Sequence, residues 1–170
     1  TTVDSRMQQY AEEAVEEHLS NLQPEFNRRQ KNNPTAPFLD ITPEETQKIM
    51  NQAMKNSERW RIMSINGKSD AEIKQSFEVP AKMKIFTWKG ERDTIMKPKD
   101  SILYYKHFLQ TGMMAMEPQT GHVKAWVGGI NYKYFQYDHV GQGARQVGST
   151  FKPFVYATAI DRLQKSPCDM

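Results

Sequence analysis

The stretch Gly141–Asp161, GQGARQVGSTFKPFVYATAID, holds a serine and a lysine three residues apart at the predicted start of an apolar helix. Three residues make about one helical turn, so the side chains of Ser149 and Lys152 are expected on one face of that helix. Gly148 directly precedes the serine, and Pro153 directly follows the lysine. A hydroxyl beside an amine at a helix start is one way to make a serine nucleophilic.

Serine reacts well only when a base takes its proton, and a lysine can be that base if its pKa falls well below about 10.4. Burial and a neighbouring cation both lower the pKa of a lysine. Arg145 is such a cation in sequence, and backbone N–H groups at a helix start can stabilise an oxyanion. The residues expected to give Lys152 an apolar surround are Phe151, Phe154, Val155 and Tyr156. The pattern predicts acyl transfer through a serine ester, with a capping serine and a solvated lysine as the alternative.

The composition excludes several other classes of function. The 23 basic and 20 acidic residues are interspersed and give a net charge of +3, so the sequence predicts no nucleic-acid partner. Cys168 is the single cysteine, which excludes a disulfide within the chain. No apolar run approaches the ~20 residues that span a membrane. The histidines have no metal-ligand spacing, so neither a metal nor a cofactor is expected.

The first half of the chain has the pattern of helices. Apolar residues recur in steps of three and four from Arg6 to about Arg29, which predicts one long amphipathic helix. A second helix is predicted from its cap at Thr42 to about Arg61, and a third from the capping box at Ser69 through Phe77. The residues expected to face inward in the second helix are Ile49, Met50, Ala53, Met54 and Trp60.

The second half predicts two β-hairpins. The first lies between Pro80 and Lys97, and a short helix from Ile102 to Gln110 follows it. The second joins strands at Met113–Glu117 and Val123–Val127, before an aromatic loop at residues 131–143. The fold class is therefore α+β. We divide the chain into a connecting helix and linker (1–37), a helical and hairpin linker module (38–98) and a C-terminal part (99–170).

The C-terminal part resembles the transpeptidase domain of class A penicillin-binding proteins. MEPQTGHVKAWVGG at Met116–Gly129 is similar to the first two strands of that domain, and RQVGSTFKPF at Arg145–Phe154 to its active-serine motif. Phe135 and Tyr137-Asp138 lie in the loop where the family has an Asn-Arg-Ala-type run. The details resemble 1A-type enzymes of Bacteroidetes-like bacteria. The residues that resemble the helix following the family's glycosyltransferase domain are Thr1–Asp4, Gln8, Ala11-Glu12, Ala14-Val15 and Leu22-Gln23.

This resemblance implies the start of a penicillin-binding, serine β-lactamase-like domain. The implied activity is D,D-transpeptidation, which cross-links peptidoglycan stem peptides, and the implied inhibitors are β-lactams. Ser149 would be the nucleophile and Lys152 the residue that activates it. The resemblance also implies a glycosyltransferase domain in the same parent chain. The expected location is the periplasmic side of the inner membrane, with the anchor outside this sequence.

Two motifs of the family's site do not follow Ser149. They are Ser-x-Asn and Lys-Thr-Gly or Lys-Ser-Gly, and Ser64-Ile65-Asn66 matches the first only by its letters, ahead of the serine. We therefore expect this chain to be a segment of a longer enzyme and to be inactive alone. The alternative is a non-catalytic scaffold or binding module of a cell-wall protein, in which Ser149 is only a helix cap.

Overall fold

The computed structural model describes residues 2–166 and has mixed helices and small antiparallel sheets. The helices are α1 (Ser5–Gln30), α2 (Pro43–Lys55), α3 (Glu58–Ile65), α4 (Asp70–Ser76), α5 (Pro98–Lys106) and α6 (Lys152–Leu163). The strands are β1 (Ala81–Ile85), β2 (Arg92–Met96), β3 (Met113–Met116) and β4 (Val123–Val127). This confirms the predicted α+β class. The chain forms two compact units, one up to Val140 and one from Gly141; Cys168 lies outside the described residues.

Asp4 caps the start of helix α1. The carboxylate of Asp4 accepts hydrogen bonds from the backbone N–H groups of Arg6 and Met7, at 2.9 and 3.1 Å. The helix packs on the hairpin of β3 and β4, and this core contains Ala11, Val15, Leu19, Ala125 and Val127. The apolar spacing of the helix would place Leu22 on the buried face, but it is 41% exposed, and Gln23 is buried instead.

The N-terminal residues run along β4. Asp4 N–H donates to Lys124 O at 2.9 Å, and the side chain of Gln8 forms two hydrogen bonds with the backbone of Trp126, at 2.7 and 2.9 Å. Its Oε1 accepts from Trp126 N–H, and its Nε2 donates to Trp126 O. A single carboxamide thus pairs with both backbone groups of one strand residue.

The predicted second helix is in fact two helices. The capping box of Thr42 and Glu45 forms as expected, but α2 ends at Lys55 and α3 starts after Ser57. Ser57 Oγ donates to Met54 O at 2.6 Å and accepts from Trp60 N–H at 3.3 Å, so the serine caps a new helix. Of the residues expected inward, Met50, Met54 and Trp60 are buried, and Ile49 is exposed. The second core of the molecule contains Met54, Trp60, Ile73 and Phe77.

Helix α5 starts and ends four residues earlier than predicted. Pro98 takes its first position, which suits the fixed φ angle of proline and its missing N–H group. The helix does not continue to Gln110, because Leu109 N–H donates to the side chain of Gln23 at 2.9 Å. A tertiary contact with α1 has replaced the next hydrogen bond of the helix.

Both predicted hairpins are present. Strands β1 and β2 pair antiparallel from Ala81 opposite Met96 to Ile85 opposite Arg92, and β3 and β4 pair with an irregularity between Ala115 and Met116. None of the helices in the described part of the chain has the length and hydropathy needed to cross a bilayer.

Candidate functional site

Ser149 lies in a 3₁₀ turn, Gly148–Phe151, that leads directly into α6. Gly148 has a φ of +51°, a conformation that glycine adopts without strain. The backbone N–H of Lys152 donates to Ser149 O, so the serine and the lysine bracket one turn, as the sequence predicts. Thr150 N–H is likewise committed to Val147 O at 3.2 Å. Two backbone donors near the serine are therefore used in building the turn.

The second unit does not bury this turn. Ser149 and Lys152 are exposed, and the described residues contain no hydrogen bond between the two side chains. The apolar surround expected for Lys152 is not formed within this unit, because a lone helix has nothing to pack against. The exposed fractions are 52% for Phe151, 65% for Phe154, 53% for Val155 and 62% for Tyr156. The expectation that these four residues bury the lysine is wrong for this structure.

The loop that runs up to Val140 is held at its end by Asp138. The Oδ2 atom of Asp138 accepts from Trp126 Nε1 at 3.2 Å, and Oδ1 accepts from Val140 N–H at 2.9 Å. His139 N–H donates to Gly128 O at 2.7 Å. A Cβ atom on Gly128 would lie 2.7 Å from Asp138 Oδ1, so a larger residue here would displace the Asp138 carboxylate. The aspartate thus fastens this loop to β4.

The start of the same loop is held by an aromatic cluster centred on Phe86. Phe86 is only 8% exposed, and the Tyr104 hydroxyl donates to its backbone O at 2.7 Å. Its backbone N–H donates to the Tyr105 hydroxyl at 3.2 Å. Its ring meets Phe135 edge-on at a centroid distance of 5.5 Å and lies 5.8 Å from Tyr134. The cluster joins the first hairpin, α5 and the loop into one packed group.

An ion pair adds to this cluster. Lys133 Nζ contacts the carboxylate of Glu91, which lies just before β2. Hydrogen bonds from Lys133 and then from Tyr134 hold the pKa of Glu91 below its ordinary range. The loop before the serine turn is thus connected to the first hairpin by packing and by charge.

Sequence patterns did not reveal the roles of Gln23 and Phe86. A glutamine within an amphipathic helix is normally interpreted as part of its polar face, and strand alternation would place Phe86 on the face opposite Ile85. Only the partners far away in sequence give these residues their roles. Within residues 2–166 no group of three metal-binding side chains comes together.

The chain is similar to known proteins over parts of its length. Residues 33–109 match the family model described as penicillin-binding protein middle domain. The chain is 30% identical over 74 residues to penicillin-binding protein 1A of Pseudomonas aeruginosa, covering 42% of the chain and 9% of the relative. It is 42% identical over 52 residues to penicillin-binding protein 1A of Vibrio cholerae, covering 31% of the chain and 6% of the relative. It is 36% identical over 72 residues to penicillin-binding protein 1A of Neisseria flavescens, covering 42% of the chain and 8% of the relative.

The matched part thus spans less than a tenth of the length of each of these relatives. No solved structure matches the chain significantly. The family model falls on α2 to α5 and the first hairpin, the module whose packing joins α1 to the loop before the serine turn. The resemblance to penicillin-binding proteins is confirmed: over part of its length the chain is similar to penicillin-binding proteins 1A, and the family-model match is to a middle domain.

Proposed function

We propose that this chain is part of a peptidoglycan D,D-transpeptidase and that Ser149 is its acyl site. The observation that carries the proposal is the turn itself: Ser149 and Lys152 bracket one turn at the start of α6, directly after Gly148 with its positive φ. The similarity to penicillin-binding proteins 1A supports it. The parent protein would also carry a glycosyltransferase domain and would lie in the cell envelope, on the periplasmic side of the inner membrane.

The proposed reaction has two steps. The Ser149 hydroxyl oxygen attacks a peptide carbonyl of the donor stem peptide, Lys152 takes the hydroxyl proton, and the peptide C–N bond breaks with the proton passing to the leaving amine. An amine of a second stem peptide then attacks the ester and releases Ser149, which recovers its proton. With a β-lactam, the reaction would stop after the first step and leave a stable serine ester. The chemistry uses no cofactor and no metal.

Because the serine turn is exposed, a working site needs further residues to cover it. A lysine acts as a base near neutral pH only when its surroundings lower its pKa. In the described unit Lys152 is exposed, so other parts of the parent protein would have to cover α6 and complete the pocket. We therefore propose that the 170-residue chain alone does not react with β-lactams.

Labelling with a fluorescent β-lactam tests the proposal. The longer parent protein should take a covalent label that disappears in Ser149→Ala and falls by about 10²-fold or more in Lys152→Ala, since general-base catalysis contributes that much. Thr158→Ala is a matched control in α6, nine residues beyond Ser149; its hydroxyl donates to Phe154 O at 2.8 Å within the helix, and the variant should keep the label. A parent protein that takes no label would overturn the proposal, and a labelled 170-residue chain would overturn its claim of an incomplete site.

The second candidate is a scaffold or binding module of a cell-wall protein. It is favoured by the contrast between the two units: the residues up to Val140 contain both buried cores, whereas Ser149 and Lys152 are exposed. In this case the middle-domain region would hold neighbouring domains or bind cell-wall material. Retained label in Ser149→Ala would favour this candidate for the chain.

A further inference from the structure

A groove runs along α5 in the first unit. Its larger part is a cavity of about 810 Å³ that is lined by the end of α1, by Thr87 and Trp88, and by α5 with its C-terminal residues. A smaller cavity of about 290 Å³ shares Ala36, Asp100 and Leu103 with it and continues towards α2. The rise of a helix gives the stretch from Pro98 to Phe108 a length of ~15 Å. The groove is therefore long enough for several units of a linear polymer.

One wall of the groove carries amide donors whose orientation is fixed. Asn27 Oδ1 accepts from Gln23 Nε2 at 3.0 Å, and Gln30 Oε1 accepts from Asn33 Nδ2 at 2.8 Å. Because the side-chain oxygens are used, each of these two carboxamides keeps its NH₂ group for another acceptor. Gln23 itself is buried and also donates to His107 O at 2.8 Å, so it connects Asn27 to the end of α5.

The other wall is aromatic. The rings of Trp88, Tyr104 and Phe108 line the cavity, and Trp88 and Phe108 are held against Phe86 at centroid distances of 5.4 and 5.3 Å. Rings held in this way offer a rigid apolar surface to a ligand. Amide donors that face fixed aromatic rings suit a sugar, because its C–H face packs on the rings and its oxygens accept from the amides.

The charges in the groove favour a nearly neutral polymer. Lys31 and Asp100 both line the larger cavity, so one cation is balanced by one anion there. Lys99 lines the smaller cavity, and its Nζ pairs with the carboxylate of Glu78 at 3.0 Å. An acidic peptide would meet the carboxylate of Asp100, and a basic peptide would meet the ammonium of Lys31. We propose that the groove binds a glycan strand of N-acetylated amino sugars, whose acetamido carbonyls accept from Asn27 and Gln30. The choice of this glycan among neutral polymers rests on the proposed role in peptidoglycan synthesis.

Titration with a soluble oligosaccharide tests this site in the 170-residue chain. The probe is the β-1,4-linked tetramer of N-acetylglucosamine, followed by ¹H–¹⁵N NMR. We expect a dissociation constant on the order of 1 mM or tighter, with shifts at the side-chain amides of Asn27 and Gln30 and at the Trp88 indole N–H. Maltotetraose, which lacks acetamido groups, should bind about tenfold more weakly.

Matched variants locate the binding. The double variant Asn27→Ala/Gln30→Ala should weaken binding about tenfold, since it removes two hydrogen bonds. Asn21→Ala, on the same helix but outside the groove, should bind as the unchanged chain does. Absence of shifts, equal binding of maltotetraose, or equal affinity of the double variant would overturn the proposal. The experiment involves no acylation, so its failure would leave the assignment of Ser149 standing, and the failure of β-lactam labelling would leave measured binding in the groove standing.

Discussion

At the scale of single residues, Gln23 joins α1 to the end of α5. It is 5% exposed, its Oε1 accepts from Leu109 N–H at 2.9 Å, and its Nε2 donates to His107 O at 2.8 Å. Gln23→Leu would keep the volume and leave both backbone groups unpaired. We expect a loss of about 2–4 kcal/mol in the free energy of unfolding, measured by urea denaturation.

Gln9→Leu is the matched control for that change. Gln9 lies on the exposed side of α1, where its side chain donates to Glu13, and its replacement should change stability by no more than about 0.5 kcal/mol. Equal stability of Gln23→Leu and Gln9→Leu would show that the carboxamide does not hold α5.

Gly112 is a second position where the structure restricts the residue type, because its neighbours leave little room for a side chain. A Cβ atom there would lie 2.9 Å from the backbone of His139 and Val140 and from the Val140 side chain. Gly112→Ala therefore forces the end of the loop to move, and we expect a destabilisation of about 1–3 kcal/mol in thermal or urea unfolding. At Gly129 the added Cβ would have contacts of 3.4 Å or more, so Gly129→Ala should cost clearly less.

At the scale of elements, the aromatic cluster links the first hairpin to the loop before the serine turn. Phe86→Ala removes the ring that contacts Trp88, Phe108, Tyr134 and Phe135. We expect a loss of about 3–5 kcal/mol in unfolding free energy. Hydrogen exchange at Phe135 N–H, which donates to Asn131 O at 2.8 Å, should become faster.

Phe151→Ala is the control, because that ring is 52% exposed and its removal should have little effect on stability. If exchange at Phe135 did not change in Phe86→Ala, the loop would be held by Asp138 and Lys133 without help from the cluster.

The start of α4 gives a pH-dependent prediction. A hydrogen bond from Ser69 N–H, and then hydrogen bonds from the side chains of Lys68 and Ser69, lower the pKa of Glu72 to about 2. A carboxyl group whose pKa is lowered on folding stabilises the fold above its ordinary pKa, and it loses that contribution as pH falls towards the folded value. The contribution of Glu72 should therefore be complete above about pH 4.5 and be lost as the pH approaches 2.

NMR titration of the Glu72 carboxyl carbon should give a midpoint well below 4.5. Ser69→Ala removes the hydroxyl partner and should raise that midpoint, while Ser101→Ala, at the start of α5, should leave it unchanged. A midpoint near the ordinary value in the unchanged chain would mean that the capping box of α4 does not form in solution.

At the scale of the whole molecule, local signals predicted the elements and long-range contacts decided their ends. Thr42 and Ser69 are capping residues readable from four consecutive positions, and both caps are where the sequence predicts them. The end of α5 was missed, because it depends on a hydrogen bond to Gln23, 86 residues away. The break at Ser57 was missed although it has a local signal: no apolar residue lies between Met54 and Trp60, and serine is a residue type that caps helices.

The candidate site, too, could be predicted from the sequence only where local spacing decides its geometry. The sequence predicts the serine and lysine one turn apart, since this follows from helical spacing, and the structure has them at the ends of one turn. Burial of Lys152 could not be predicted from its neighbours, because residues on one isolated helix cannot cover each other. The roles of Asp138 and Phe86 in fixing the preceding loop depend on partners in other elements and have no local signature. The domain boundaries at residues 37 and 98 remain predictions.

The most direct test of the central claim is the chemical location of a β-lactam on the longer parent protein. After reaction with a penicillin, tandem mass spectrometry of the digested protein should find one added penicilloyl mass on the peptide that contains Ser149, with the fragment ions assigning it to that serine. The same peptide from Ser149→Ala should be unmodified. An adduct on a different serine, with Ser149 unmodified, would contradict the assignment of Ser149 as the acyl site.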